Sequence, residues 1–261
     1  MEVKYTKTPT KKTRKKKKAK KVCLILLALM MVAIICVVLL NTLLFPIENI
    51  SIENAENTIY TAEEILNASG VNKGDKLFGV KETKINRILT EKLPYLKEVK
   101  ITRNFPSSIT ISVLPETAKF SINLNGKYTV ISEDYKALEK TVEHKENTIK
   151  VFGVQIENAE IGDYVNFKDE NMKDVFLQII DYTSKYEIAI TGLDLSVQTQ
   201  LKVVINDTIT ANLGSITDIE YKAQYLKSML KNINQNERGT IDLSNWSTSN
   251  PKGYYAKEEN Q

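Results

Sequence analysis

Side chains that could act as nucleophiles, general bases or metal ligands are few in this sequence. It has one histidine, His144, and two cysteines, Cys23 and Cys36, which both fall in a long apolar run. With no cysteine and one histidine after residue 45, that region has neither thiol catalysis nor a zinc site built from cysteines or from two histidines. The polar run around His144, TVEHKENT, is typical of a solvated loop. The sequence therefore predicts no catalytic, metal-ligating or cofactor-binding residue.

Carboxylates are the remaining groups that could do acid–base chemistry. A suitably spaced pair could cleave a glycan, but the acidic residues cluster in polar turns and on predicted helix surfaces, where solvated charge is usual. No Gly-rich segment matches a phosphate-binding or dinucleotide-binding pattern. We therefore expect a protein that is not an enzyme and has no small-molecule substrate. A membrane-anchored cell-wall (glycan) enzyme using a carboxylate pair is the alternative.

Charge divides the 261 residues into three parts. Residues 1–21 hold ten lysines and one arginine against one glutamate, a net charge of +10. Residues 22–45 hold no charge, so residues 46–261 account for −6 of the overall +4. As a helix, the uncharged part would rise about 36 Å, enough to cross a hydrocarbon core of about 30 Å. This part is longer than the apolar region of a secretory signal peptide, which has about 7–15 residues. The sequence therefore predicts one uncleaved transmembrane helix.

The basic residues predict which side of the membrane each part occupies. Lysine and arginine near a span stay on the cytoplasmic side, and after the span the next basic residue is Lys73. The basic tail, residues 1–21, is therefore expected in the cytoplasm without fixed structure, and the rest of the chain outside. The tail serves as a topology signal, and contact with anionic lipid is left open. Nucleic-acid binding is not expected.

Local signals divide the exported part into two regions, the first at residues 46–115. An alternating stretch, IENISIENA, predicts a strand. Thr61 followed by Glu64 is a capping box that opens a helix, and Gly70 is a suitable stop. A second helix ends before Pro94, and KEVKITRNFPSSITISVLPE reads as two alternating strands joined by a turn. The order is β-α-α-β-β, which predicts a compact α+β domain.

The second region, residues 116–244, is predicted as a β-rich α+β domain. Asn125-Gly126 is a strong hairpin signal. The segment DENMKDVFLQIIDYTSKYE shows helical spacing and precedes three strand candidates, and Thr217 with Glu220 forms a second capping box that opens a later helix.

The last strand, GTIDLS, is followed by Trp246 and a polar segment. Two interpretations of the tryptophan are open: it closes the end of the core, or it anchors a partner, since tryptophan is enriched at interface hot spots. A last strand at a sheet edge also offers unpaired backbone groups to a partner strand. Residues 245–261 are expected to form a flexible C-terminal tail.

The chain as a whole resembles the FtsQ/DivIB family of bacterial cell-division proteins. The most specific local likeness is LPYLKEVKITRNFPSSITISV, in which Leu93-Pro94-Tyr95, Arg103 and Phe105-Pro106 occur in the family's order. The resemblance implies that the first domain is a POTRA domain. Two segments depart from the family pattern: SVLPETAKF compresses the junction between the domains, and the last strand reads Asp-Leu-Ser where the family often has Asp-Leu-Arg.

The resemblance also implies a function. It implies a bitopic divisome scaffold in the cell membrane at the division septum, which binds small coiled-coil partners of the FtsL and FtsB/DivIC type. Through them it would act indirectly on the septal peptidoglycan synthase. The family's partner edge, carried onto this sequence, comprises Ile241, Leu243, Asn245 and Trp246. A POTRA-bearing export chaperone is disfavoured because the sequence contains no second copy of the unit.

Overall fold

The computed structural model describes residues 11–43, 45–157, 160–234 and 237–258. Helix α1, Lys11–Leu43, contains a stretch, Lys20–Val38, that is long and apolar enough to cross a membrane. The helix begins inside the basic segment, so residues 11–21 are helical and not without structure as expected. Lysine is a good helix former, and no glycine or proline interrupts the segment. Residues 1–10 of the predicted tail lie outside the described residues.

The first domain contains three strands and two α-helices. In chain order they are β1 (Asn49–Glu53), a 3-10 helix (Ala55–Asn57), α2 (Ala62–Ser69), α3 (Glu82–Lys92), β2 (Leu96–Asn104) and β3 (Ser108–Pro115). The sheet order is β1-β3-β2, with β1 parallel and β2 antiparallel to β3. The predicted β-α-α-β-β order is therefore confirmed. The two helices pack against the sheet through one apolar core that includes Ile65, Leu89, Ile109 and Ile111.

Helix α2 has the ends that the sequence predicts. The Thr61 hydroxyl accepts from the Glu64 backbone N–H at 3.2 Å, and the Glu64 carboxylate accepts from the Thr61 backbone N–H at 2.8 Å. Gly70 ends the helix at φ 68°, a left-handed conformation that glycine adopts without strain. The hydrogen bonds that the Glu64 carboxylate accepts from the backbone and side chain of Thr61 hold the pKa of Glu64 below its ordinary value.

The described residues of the second domain form nine strands and two helices. In chain order they are β4 (Ala118–Leu124), β5 (Lys127–Ser132), β6 (Ala137–Thr141), β7 (Ile149–Phe152), α4 (Glu170–Lys185), β8 (Ile190–Asp194), β9 (Leu201–Ile205), β10 (Ile209–Gly214), α5 (Ile219–Leu230), β11 (Gly239–Asp242) and β12 (Tyr254–Lys257). They form one sheet in the order β12-β11-β10-β9-β8-β7-β4-β5-β6. The predicted mixed α+β fold is confirmed. At the β4–β5 turn, Asn125 and Gly126 both have positive φ, as a tight two-residue hairpin requires.

Both helices of the second domain contribute to its core. Phe176 and Ile179 of α4, and Ala223 and Leu226 of α5, are buried in one cluster with inward-facing residues of the sheet. This core is separate from that of the first domain. Each domain therefore buries its own apolar side chains, and the described residues after α1 depend on ordinary packing for stability.

The second predicted capping box is wrong. Helix α5 starts after Asp218, which is in the left-handed conformation, and no side chain caps its first turn. Glu220 points instead toward α4, where its carboxylate accepts from the Lys185 ammonium at 2.6 Å. The pattern Thr-x-x-Glu is not sufficient for a capping box, because the chain must also enter the helix in an extended conformation. The left-handed residue before α5 prevents that here.

The C-terminal segment also differs from expectation. Residues 245–261 were expected to be flexible, yet Tyr254–Lys257 forms β12 and pairs antiparallel with β11. The chain turns back after Trp246 and covers the strand that we expected at the sheet edge. The pairing satisfies the backbone groups of β11, which would otherwise be left open on that side.

Candidate functional site

One end of the nine-stranded sheet is open at β12. Residues of β11 and β12 pair one to one, with Gly239 opposite Lys257 and Ile241 opposite Tyr255. The Glu258 backbone N–H donates to the Arg238 carbonyl at 2.9 Å. Hydrogen-bonded pairs alternate along an antiparallel ladder, so the N–H and C=O groups of Tyr255 and Lys257 point away from β11. The described part of the chain places no strand beyond β12, and these groups form an unpaired edge.

The edge strand is fastened to the domain by Glu237. Its carboxylate lies 3.4 Å from the Lys257 ammonium and accepts from the Tyr255 hydroxyl at 3.3 Å. The Asn234 side-chain amide, and then the Lys257 ammonium, hold the pKa of Glu237 below its ordinary value. The carboxylate is therefore ionised at neutral pH, and it attaches Tyr255 and Lys257 of the four-residue strand to the segment that precedes β11.

The β12 strand and the chain that leads into it pack closely against the rest of the domain at two glycines. A Cβ atom added to Gly239 would lie 2.6 Å from the Ala256 carbonyl oxygen and 2.6 Å from the Tyr255 ring. A Cβ on Gly253 would lie 2.5 Å from the Leu243 side chain. The absence of side chains at the two glycines lets β12 and its entry approach the domain closely.

Three of the four sequence-predicted partner residues are buried in the structure and one is exposed. Ile241 and Leu243 are fully buried, and Trp246 is 8% exposed, packed against Tyr225 with ring centroids 5.9 Å apart. Asn245 is exposed. In this conformation Ile241, Leu243 and Trp246 support the edge from inside the domain. Direct partner binding by these residues stays a prediction.

Trp246 thus takes the first of the two roles left open by the sequence, closure of the core. Its indole N–H is buried without a hydrogen-bond partner, which is uncommon in native proteins.

Sequence reasoning missed β12, whose exposed side chains would meet a partner first. Tyr254 is 67% exposed, and Ala256 and Lys257 are also exposed. The signal available was the pair of tyrosines in GYYAK, since aromatic residues favour strands. The surrounding Asn, Lys and Glu residues outweighed it, and a four-residue strand is too short to show alternation.

His144, and two carboxylates whose pKa values are shifted, have structural roles. His144 is half-buried, and its Nε2 lies 3.0 Å from the Thr148 carbonyl oxygen, so it holds a loop that we expected to be solvated. Glu64 caps a helix, and Glu237 fastens β12. Both carboxyl groups have lowered pKa values, whereas a general acid at neutral pH needs a raised one. Within the described residues, no three His, Cys, Asp or Glu side chains are arranged to hold a metal ion.

Comparisons with known proteins agree with this architecture. Residues 45–114, which contain the first domain except for the last residue of β3, match the family model described as "POTRA domain, FtsQ-type". The first domain is therefore a POTRA domain, and the chain is of the class that joins such a domain to an N-terminal apolar helix and a strand-rich second domain.

Curated relatives extend the match beyond that domain. The chain is 28% identical over 217 residues to the cell division protein DivIB of Clostridium botulinum strain Hall, covering 79% of this chain and 83% of that protein. It is 29% identical over 209 residues to the DivIB of Clostridium acetobutylicum, covering 77% and 82%. The cell division protein FtsQ of Corynebacterium glutamicum is 28% identical over 119 residues, 45% of this chain and 51% of that protein. The matches support the FtsQ/DivIB family of bacterial cell-division proteins, the family that the sequence predicted.

Proposed function

We propose that this cell-division protein is a bitopic divisome scaffold. Its N-terminus lies in the cytoplasm, and both domains lie outside the membrane at the division septum. It binds small coiled-coil partners of the FtsL and FtsB/DivIC type and acts through them on the septal peptidoglycan synthase. The apolar helix α1 and the similarity to this family support the assignment. It has no catalytic activity of its own.

The observation that carries the proposal is the open edge of β12. An unpaired strand edge gives a partner strand main-chain hydrogen bonds, and exposed side chains on alternate positions provide specificity. The predicted site therefore moves outward by one strand, to Tyr254–Lys257. Ile241, Leu243 and Trp246 then act from behind the edge by holding it in place, and Asn245 remains available at the surface.

A proline at Lys257 tests the edge. The Lys257 N–H points away from β11, so Lys257→Pro removes a donor that a partner strand would use while the β11–β12 hydrogen bonds stay intact. We expect roughly tenfold weaker capture of the bitopic partner, about 1.4 kcal/mol. Capture is measured with the full chain co-purified from crosslinked membranes.

The matched control is Lys257→Ala. It removes the same ion pair with Glu237 but keeps the backbone donor, so we expect capture close to wild type. Equal capture by the proline and alanine variants would show that β12 is not the docking edge. Substituting Ile241 or Trp246 is a poorer test, because both are buried and a loss of folding would also abolish capture.

Localisation tests the cellular role. A fluorescent fusion of the full chain is expected at mid-cell during septation, and uniform membrane signal through the cell cycle would contradict the divisome assignment. The enzyme alternative has its own test: turnover of peptidoglycan by the purified full chain, abolished by one Asp or Glu substitution, would replace the scaffold proposal.

A further inference from the structure

Three phenylalanines from distant parts of the sequence meet on the first domain. Phe45 lies 5.7 Å from Phe78 and 6.0 Å from Phe105, measured between ring centroids, and Phe78 lies 5.5 Å from Phe105. Phe78 is 43% and Phe105 is 64% exposed. These rings, here called the Phe patch, leave a contiguous apolar surface uncovered, which in a soluble domain marks a place of contact.

Hydrogen bonds hold the three segments together at this end of the domain. The Leu77 N–H donates to the Phe45 carbonyl at 3.0 Å, which joins the loop that carries Phe78 to the chain entering the domain. The Glu48 N–H donates to the Ser107 carbonyl at 2.7 Å, which joins the β2–β3 turn to the same entry. The patch is therefore a fixed feature of the fold and not a chance meeting of mobile rings.

Arg103 strengthens the arrangement. Its guanidinium is half-buried and donates to the carbonyl oxygens of Leu77, at 3.2 Å, and Val80. These two carbonyls flank Phe78, so the arginine holds the loop that presents the ring. The basic residue that the sequence motif singled out thus positions the Phe patch.

The location of the patch indicates what covers it. Phe45 comes two residues after the end of α1 at Leu43, the helix that contains the apolar stretch. The patch therefore lies at the end of the domain where the chain emerges from the anchor. An amphipathic helix with aromatic and aliphatic side chains on one face buries this apolar face at the boundary of headgroups and acyl chains. We expect an exposed aromatic patch beside the apolar helix to be buried in the same way. Lys76, exposed and paired with Pro46 in a short bridge, adds a cationic group at this end of the domain.

We propose that the Phe patch inserts into the outer surface of the lipid bilayer and seats the POTRA domain on the membrane. The contact would restrict how the first domain pivots about its anchor, and so set the direction in which the second domain presents β12. This inference rests on the membrane anchoring in the proposed function, but not on the partner that β12 binds.

Depth-dependent quenching tests the insertion in the full chain. In a Cys23→Ser, Cys36→Ser background, one cysteine replaces Phe78 or Phe105 and carries an environment-sensitive NBD label. The protein is reconstituted in vesicles of phosphatidylcholine and phosphatidylglycerol without any other protein. We expect blue-shifted emission, strong quenching by lipids with a nitroxide near the headgroup, and severalfold weaker quenching by aqueous iodide.

Ile59→Cys and Val142→Cys are the matched controls, because both replace highly exposed apolar residues. Ile59 follows β1 and the 3-10 helix at the far end of the first domain, and Val142 belongs to the second domain. Neither label should be quenched by the nitroxide lipids. Equal nitroxide quenching at residues 59, 78 and 105 would overturn the proposal.

Two further outcomes separate this inference from the proposed function. Protection of residues 78 and 105 that appears in native membranes but not in pure lipid vesicles would assign the patch to a protein partner and overturn the lipid contact. Release of the chain from vesicles by alkaline carbonate would show that the anchor itself is missing, which would overturn both proposals. Retention in the vesicles with unquenched labels would overturn only the insertion.

Discussion

The ammonium of Lys136 in the second domain lies 3.0 Å from the carbonyl oxygen of Leu96 in the first domain. It also lies 3.0 Å from the Pro94 carbonyl oxygen. The lysine is 3% exposed, and burial lowers its pKa, an effect that Glu116 opposes. A buried ammonium without a carboxylate at bonding distance is costly unless carbonyls satisfy it. This pair of hydrogen bonds therefore joins the two domains in a defined orientation.

Neighbouring contacts support the same junction. The Lys97 ammonium pairs with the Asp134 carboxylate, and the Lys145 ammonium lies 5.3 Å from the centre of the Tyr95 ring. Burial, with help from the nearby Glu139, raises the pKa of Tyr95 to about 12. The exposed Lys97 pair contributes little by itself, so the buried lysine is the main polar link.

Replacing Lys136 with methionine should loosen the junction. The side chain keeps a similar length but leaves two buried carbonyls without their donor, at a cost of about 1–3 kcal/mol. Urea unfolding of the detergent-solubilised chain measures the loss. The control is Lys127→Met, which alters an exposed lysine in the adjacent β5 and should change the free energy of unfolding by no more than about 0.5 kcal/mol. Equal effects from the two variants would contradict the role given to Lys136.

Substituting Gly239 with alanine should weaken the attachment of β12. The new Cβ would meet the Ala256 carbonyl at 2.6 Å, so the edge strand must shift, at a cost of about 1–3 kcal/mol. Hydrogen exchange of the β11-paired amides of Tyr254, Ala256 and Glu258 should speed up while that of β4 and β5 stays unchanged. Thr240→Ala, at the next and exposed position of β11, is the control with no such clash. Unchanged exchange in the glycine variant would show that β12 tolerates the displacement.

Attachment of β12 should depend on pH through Glu237. Its pKa in the folded chain is below the ordinary value of 4.5, so the stabilisation is complete above pH 4.5 and is lost as pH falls through the lowered folded value. We expect protection of the β12 amides to decrease in that acid range. The Glu237→Gln variant should show weaker protection at neutral pH and little further loss on acidification. Parallel pH profiles for the two proteins would rule out this carboxylate as the fastening group.

The two predicted capping boxes should respond differently to alanine. Thr61→Ala removes a hydroxyl that caps α2 and should cost about 1 kcal/mol. Thr217→Ala should change stability by less than about 0.5 kcal/mol, because this exposed threonine caps no helix. Both are measured by urea unfolding, with helix-specific hydrogen exchange to locate the change. Comparable losses would mean that Thr217 caps α5 in solution.

Local signals predicted the elements well where one short segment contains all the necessary groups. The Thr61 capping box, the Gly70 helix end and the Asn125-Gly126 hairpin each depend on residues within a few positions of one another. Thr217 shows the limit, because a single left-handed residue, Asp218, prevents the cap. The candidate edge was predicted one strand too early, since nothing within GTIDLS indicates that the chain returns to cover it.

The sequence by itself determined the long apolar helix, the α+β class and the order of elements in the first domain, because hydrophobic length and periodicity are properties of continuous segments. It also determined that one histidine and no cysteine follow residue 45. Only the tertiary structure decided that Ile241 faces the core, that Tyr254–Lys257 forms the open edge, and that Lys136 is buried between the domains. The tertiary structure also brings together the rings of the Phe patch, which come from residues 45, 78 and 105. The physical reason is that pairing and burial depend on groups far apart in the chain, and alternation within a strand records only that one face is buried.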